Sequence, residues 1–193
     1  MTKLPKLTEL ADMGGEAWQS LMTQILQAYA EHHGFEYRPG PTSGPDHGVD
    51  GFAPSGGVPA MKGPVIFQAK WMWGGLHRGG KKAKIQESLD SAANEHPEMR
   101  HWVLVTPHEL TDAEQKWFYA LKPKTPLKRL KVHHWGHEQI TRLLRQLCPE
   151  LFARYYPLQA KAELRVGAAP HHVFAGDRGL AIGGDFHGNV TIH

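Results

Sequence analysis

Cysteine is nearly absent from this chain of 193 residues, and long apolar runs are absent altogether. Cys148 is the only cysteine, so neither an intrachain disulfide nor a cysteine-based zinc site can form. No stretch approaches the roughly 18 consecutive apolar residues of a membrane span. The opening MTKLPKLTEL lacks the apolar centre of a secretion signal. No phosphate-binding loop of the form G-x-x-x-x-G-K-[ST] occurs, so the chain has no NTPase motor motif of its own. We therefore expect a cytoplasmic protein with no membrane partner.

Positive charge is unevenly distributed, although the formal net charge is only +3. Residues 62–86 contain six lysine or arginine residues and no acid, and residues 116–137 repeat that tally. Two such blocks are typical of a surface that binds a polyanion. The alternative is that both are ordinary solvated faces. Within the first block, the candidate contacts to a nucleic acid are Lys81, Lys82 and Lys84.

Hydrophobic periodicity predicts an α/β domain. Apolar residues at helical spacing indicate an amphipathic helix over about residues 15–32, and three strand segments follow it. Helices and strands then alternate, which predicts a sheet that is partly antiparallel and partly parallel. Thr111 and Glu114 form a capping box at the start of one of the later helices. The predicted strands contain FEYR, VDGFA, PVIFQAKW, HWVLVT and LKRLKVHHW, and the later helices cover Lys82–Glu95, TDAEQKWFYAL and HEQITRLLRQLC.

The composition changes near the end of the chain. Residues 1–157 hold the α/β pattern, whereas residues 158–193 are rich in glycine and histidine and end in two short apolar segments. We interpret the second part as a linker with a small β appendage. The chain has fourteen histidines, but their sequence pairs lack acidic partners at suitable spacing, so they do not predict a zinc site.

Polar residues converge in the stretch GPDHGVDGFAPSGGVPAMKGPVIFQAKW, residues 44–71. Gln68 and Lys70 lie two apart in a strand and therefore point to the same side. If the strand that carries Asp50 adjoins it, the three side chains meet at one edge of the sheet. A carboxylate and an amide oxygen suit a hard cation such as Mg²⁺. A lysine beside them can orient a water or neutralise charge on a phosphate, and this combination serves phosphodiester hydrolysis.

The pattern GPDHGVDG followed by VIFQAKW resembles the Mrr-type restriction endonucleases of the PD-(D/E)xK nuclease superfamily. The resemblance covers about residues 14–147 and includes the later WVLVTPHELTDAEQKWF. It implies a restriction endonuclease-like three-layer fold, with a central mixed β-sheet flanked by helices, and makes residues 1–157 a nuclease domain. It also implies that Asp50 and Gln68 bind Mg²⁺, for which Mn²⁺ substitutes, and that Lys70 is the catalytic lysine.

The first helix departs from the family pattern at one position. Where the family usually has a glutamate after an aromatic residue, this chain has Gln19. Glu16 lies one turn earlier on the same face and is a further catalytic candidate. Whether Glu16, Gln19 or Asp46 completes the site stays open at this point. Trp71, Met72 and Trp73 are predicted to pack against a neighbouring helix rather than to stack on bases.

The leading interpretation is a Mg²⁺-dependent DNA endonuclease, and the resemblance suggests the effector of a bacterial phage-defence protein. The alternative is a nuclease-fold DNA-binding or assembly module with a weakened or inactive site. RNA is not separated from DNA by this sequence. A single site cuts one strand per visit, so we expect a homo-oligomer or a chain tethered to a sensor or NTPase module.

Overall fold

The computed structural model describes residues 14–40, 49–77, 79–127, 129–157 and 160–161. Within them, five strands form a single sheet flanked by helices. The strands are β1 Arg38–Pro39, β2 Gly51–Ala53, β3 Val65–Ala69, β4 His101–Val105 and β5 Lys131–Trp135. The helices are α1 Gly14–His33, α2 Lys81–Glu95, α3 Asp112–Tyr119, α4 His137–Leu147 and α5 Pro149–Tyr155.

The five strands lie side by side in sequence order, β1-β2-β3-β4-β5. β1, β2 and β3 pair antiparallel, whereas β3, β4 and β5 pair parallel. The change of direction follows from the connections, because a parallel neighbour requires a long crossover and here α2 and α3 supply it. The predicted mixed α/β sheet is confirmed.

One face of the sheet is covered by α2 and α3. Ile66, Trp102 and Leu104 lie on alternate positions of the two central strands and are fully buried. They share one apolar cluster with Leu89 of α2 and Phe118 of α3. Because successive strand residues point to opposite sides, the neighbouring residues of these strands face the other layer.

The opposite face is covered by α1, which also packs against α4. Tyr29 of α1 makes an edge-to-face contact with Trp135 of β5, with ring centroids 5.5 Å apart, and Phe67 of β3 lies 5.5 Å from the same indole. Edge-to-face aromatic pairs of this kind add to the stabilisation from burial. Helices therefore cover both faces of the sheet.

The predicted helices are present with small changes at their ends. The buried stripe of α1 is the predicted one and consists of Trp18, Leu21, Met22, Ile25, Leu26, Tyr29 and Ala30. The capping box of α3 is formed in full: the Thr111 hydroxyl accepts from the backbone of Glu114, whose side chain accepts from the backbone of Thr111. Helix α5 has no counterpart in the sequence-based prediction.

The FEYR segment differs from its prediction as a strand. Only Arg38 of this segment is in a strand, paired with Phe52. Gly34 adopts a φ of 70°, and the backbone N–H of Phe35 donates to the carbonyl of Ala30 at 3.1 Å. These are the features of a helix C-terminus. Phe35, the first residue of FEYR, therefore belongs to the C-terminal end of α1, and strand β1 begins only at Arg38.

The chain divides into two compact units, Met1–Tyr155 and Tyr156–His193. The sheet and the helices α1–α5 belong to the first unit. The predicted β appendage within residues 158–193 lies outside the described residues. In the part of the chain that the structure describes, no helix is both long and apolar enough to cross a membrane.

Candidate active site at the edge of β2 and β3

Asp50 and Gln68 meet where β2 pairs with β3. Gly51 lies opposite Phe67 in the antiparallel register, and the backbone N–H of Asp50 donates to the carbonyl of Phe67 at 2.9 Å. Asp50 therefore lies one residue before the Gly51–Phe67 pair, next to Gln68 near the end of β3. The structure thus brings together these two candidate ligands, which are 18 positions apart in the chain.

The Asp50 carboxylate is almost fully buried, at 4% exposure, and it accepts hydrogen bonds on both oxygens. Gln19 Nε2 of α1 donates to Oδ1, and Gln68 Nε2 donates to Oδ2. The backbone N–H of Ala69 donates to Oδ2 at 2.7 Å. Three donors from two elements therefore hold the carboxylate in place, which is how a buried charge is stabilised. We call Asp50, Gln68 and Gln19 the Asp50 cluster.

Gln68 carries an unsatisfied atom in this cluster. Its side chain is 0% exposed, and its Oε1 atom has no hydrogen-bond partner. Which end of an amide is oxygen is assigned from the hydrogen bonds around it. Rotation of the amide by 180° would place Oε1 against Asp50 Oδ2, and two such acceptors come together only with a proton or a cation between them. A carboxylate with a neighbouring amide oxygen is a donor set that suits Mg²⁺.

Lys70 follows the cluster directly in the chain. Its backbone N–H donates to the carbonyl of Val105 at 2.9 Å, which continues the β3–β4 ladder by one residue. Its side chain is half-buried. Because the preceding residue, Ala69, donates to the Asp50 carboxylate, Lys70 stands at the same end of β3 as the cluster.

Glu16, Gln19 and Asp46 are the residues proposed to complete the site. Gln19 reaches the Asp50 carboxylate, as described above. Glu16 lies on the exposed side of α1. Asp46 lies outside the described residues. Of the two candidates that the structure describes, Gln19 is the one that contacts Asp50.

Tyr37 supports the backbone of Asp50 and was not among the sequence candidates. Its hydroxyl donates to the Asp50 carbonyl at 3.4 Å. Burial, and then the charge of Asp50, raise the pKa of Tyr37 well above its ordinary value, while a hydrogen bond with Thr23 acts in the opposite direction. Tyr37 therefore stays protonated over the ordinary pH range. The glycine at position 51 leaves the space for this ring, because a Cβ there would overlap it.

The loop that follows Lys70 is anchored by Glu114 and Lys81. Glu114 Oε1 accepts from the backbone N–H of Leu76 at 2.5 Å. Lys81 Nζ donates to the carbonyl oxygens of Trp73, at 2.6 Å, and Gly75, at 2.8 Å. Lys81 is predicted to bind nucleic acid, but two of the three N–H donors of its ammonium group bond to the carbonyls of this loop.

The other two predicted nucleic-acid contacts lie on α2. Lys82 Nζ lies 5.0 Å from the ring centroid of Trp117, a cation–π geometry. Lys84 is exposed. Gln86 of α2 donates to the carbonyl of Lys122 at 2.9 Å. These contacts place the basic start of α2 beside the second basic block, so the two blocks form neighbouring surfaces in the fold.

Three histidines of β4 and β5 make side-chain hydrogen bonds. His101 Nδ1 lies 2.9 Å from His133 Nε2, and His134 Nε2 lies 2.8 Å from the Thr106 hydroxyl. Burial, followed by the charge of His108, lowers the pKa of His134 to about 4. Across the described ranges, no three histidine, cysteine, aspartate or glutamate side chains are grouped so as to hold a metal ion.

No protein-family model, curated protein or solved structure matches this chain. The comparisons therefore assign no family.

Proposed function

We propose that this protein is a metal-dependent endonuclease that hydrolyses phosphodiester bonds in DNA and has a restriction endonuclease-like fold. The observation that carries the proposal is the meeting of Asp50 with Gln68, whose buried Oε1 has no partner. Lys70 follows them at the end of the same strand. A buried carboxylate beside an unsatisfied amide oxygen and a lysine has the composition of a phosphodiester-cleaving site.

Each member of the site has a distinct task in this proposal. Asp50 and Gln68 would hold Mg²⁺ or Mn²⁺, which supplies Lewis-acid stabilisation of the phosphate and lowers the pKa of the attacking water. Gln19 orients the Asp50 carboxylate through Oδ1. Lys70 contributes positive charge against the phosphate as the water oxygen bonds to phosphorus and one P–O ester bond breaks. The leaving oxygen takes up a proton, which completes the hydrolysis.

The substrate class follows from the charges around the site. The acid-free stretch 62–86 contains Lys70 and the basic start of α2. The contacts of α2 with Trp117 and Lys122 join this stretch to the second basic block. A lysine-rich surface next to a phosphate-cleaving site favours a nucleic acid over a small phosphate ester. DNA is the substrate we propose, with RNA as the comparison in the assay.

The composition of the cluster favours a second candidate, a DNA-binding or assembly module with a weakened site. Asp50 is the one carboxylate that the described residues place in the cluster, where the side-chain amides of Gln19 and Gln68 contact it. An amide oxygen attracts Mg²⁺ less than a carboxylate does, because it carries no net charge. This alternative predicts DNA binding without metal-stimulated cleavage.

Cleavage of supercoiled plasmid in Mg²⁺, Mn²⁺ or EDTA tests the proposal. We expect nicking with either metal and none with EDTA. Asp50→Asn and Lys70→Ala should each lower the rate by about 10²–10³-fold, as expected for loss of one charge-stabilising group from a preorganised site. Asn is preferred to Ala at position 50 because it retains the shape of the side chain that the three donors surround.

Two exposed residues provide matched controls: Asp112→Asn on α3 and Lys161→Ala should retain wild-type rates. Thermal unfolding of each variant separates loss of chemistry from loss of fold. Wild-type activity in a folded Asp50→Asn protein would overturn the proposed site. DNA binding without cleavage under any metal would favour the binding module.

A further inference from the structure

Three tryptophans form a continuous contact that leads from the core to the surface beside the Asp50 cluster. The ring centroids of Trp18 and Trp71 are 5.8 Å apart, and those of Trp71 and Trp73 are 5.7 Å apart with an interplanar angle of 21°. Trp18 immediately precedes Gln19, and Trp71 immediately follows Lys70. The aromatic contact therefore joins the neighbours of two residues of the proposed site.

Trp73 is the outer member of this contact and reaches the surface. Trp71 does pack against α1 through Trp18, whereas Trp73 is 36% exposed. Among the described residues, Tyr119 is the other large hydrophobic side chain at the surface. The Trp73 indole stacks on Trp71 and still keeps more than a third of its surface open to solvent.

The backbone beneath Trp73 is held in place. Lys81 Nζ donates to its carbonyl oxygen at 2.6 Å and to that of Gly75 at 2.8 Å. Gly74 and Gly75 adopt φ values of 77° and 93°, which other residues rarely adopt and which form the tight turn after Trp73. Glu114 fixes the end of this turn through the backbone N–H of Leu76. An exposed aromatic ring that is already ordered loses little conformational entropy when a flat partner stacks on it.

The charge of the segment that carries Trp73 indicates what its partner is. Trp73 lies within the acid-free stretch 62–86, between Lys70 and the lysines at the start of α2. A protein partner would be expected to meet a mixed rim of charges, whereas a nucleic acid brings a polyanionic backbone together with flat bases. A base inside an intact duplex has both faces covered by its neighbours. Stacking on Trp73 therefore requires an unpaired or terminal base.

We propose that the partly exposed indole of Trp73 stacks on an unpaired nucleobase next to the Asp50 cluster, so that the protein prefers single-stranded or locally unpaired nucleic acid over intact duplex. This inference deepens the proposed function and rests on it for the class of substrate. It adds a structural preference within that class, which the Asp50 cluster alone does not provide.

The test is binding of fluorescent oligonucleotides in EDTA, measured by anisotropy. The probes are a single strand, the matching blunt duplex, and the same duplex with a short unpaired segment. Trp73→Ala should weaken binding of the single strand and the unpaired segment by about 5–150-fold, the range expected for one base–aromatic stack. Binding of the blunt duplex should change by less than about twofold, since charge contacts dominate there.

Two further variants make the result specific. Trp73→Phe keeps an aromatic ring and should recover most of the lost affinity. His32→Ala removes an exposed ring near the end of α1, outside both basic blocks, and should leave all three affinities unchanged. Equal weakening on all probes, or no weakening on any, would overturn the inference. A change of oligomeric mass in Trp73→Ala would assign the surface to a second copy of the chain instead.

Cleavage assays distinguish failure of this inference from failure of the proposed function. If the wild-type protein cuts DNA in Mg²⁺ but Trp73→Ala binds and cuts every probe normally, the stacking role is wrong and the nuclease stands. If Trp73 governs single-strand binding but no metal supports cleavage, the stacking role stands and the nuclease is wrong.

Discussion

The Glu114 side chain lies at the centre of a hydrogen-bond network that stabilises the folded state. Glu114 is 7% exposed at its side chain, and burial alone would raise its pKa. Hydrogen bonds from the backbone N–H groups of Leu76 and Thr111, from His108 and from the Thr111 hydroxyl outweigh burial and lower its pKa to about 2. An ordinary glutamate has a pKa of 4.5.

The difference between these two pKa values corresponds to about 3 kcal/mol of stability, at about 1.4 kcal/mol for each pKa unit. Since the pKa is lower in the folded state, this contribution is complete above pH 4.5 and is lost as the pH falls towards 2. Glu114→Gln removes the ionised group but keeps its size. At pH 7 we therefore expect the variant to lose up to about 3 kcal/mol, or about 6–12 °C in Tm for a chain of this length.

Urea unfolding at a series of pH values from neutral to acidic checks the magnitude and the sign together. The free-energy difference between wild type and Glu114→Gln should be largest near neutral pH and should shrink below pH 4.5. Glu138→Gln, at an exposed first-turn glutamate of α4, is the control and should change stability by less than about 0.5 kcal/mol. A difference that does not depend on pH would refute the assignment of the effect to the Glu114 charge.

The remaining predictions concern the proposed site and its surroundings. Gly40→Ala should lose about 1–3 kcal/mol, because a Cβ there would overlap the carbonyl oxygen of Val49 and lie 3.0 Å from backbone atoms of Asp50. Gly15→Ala, which has open space and no positive φ, is its control in the same thermal unfolding measurement. Gln68→Glu should lower the Mg²⁺ concentration needed for half-maximal thermal stabilisation, because a carboxylate attracts Mg²⁺ more strongly than a neutral amide. If Gln68→Ala leaves this metal dependence unchanged, Gln68 is a structural amide and not a metal ligand. Lys84→Glu should weaken binding of all DNA sequences alike and reduce the slope of log Kd against log salt by about one phosphate contact; an unchanged slope would favour a merely solvated lysine.

Local patterns in the sequence were enough to predict most of the elements. The stripe of α1 repeats with helical spacing, so its bounds were predicted to within a residue. The capping box of Thr111 and Glu114 is likewise a short-range signal, since both groups lie within one turn. The pairing of Asp50 with Gln68 was also within reach, because two strands joined by a glycine-rich turn normally pair antiparallel.

Contacts between distant segments were decided by the tertiary structure. Gln19 reaches Asp50 across 31 positions, and Glu114 reaches Leu76 across 38, because the packing of α1 and α3 on opposite faces of the sheet determines which side chains point at which loops. The same packing leaves Glu16 exposed, although it lies only one turn from Gln19. Hydrophobic periodicity identifies the buried side of a helix or strand, but it does not identify which other element packs against that side. The composition of the Asp50 cluster and the exposure of Trp73 therefore became visible only once the helices were placed against the sheet.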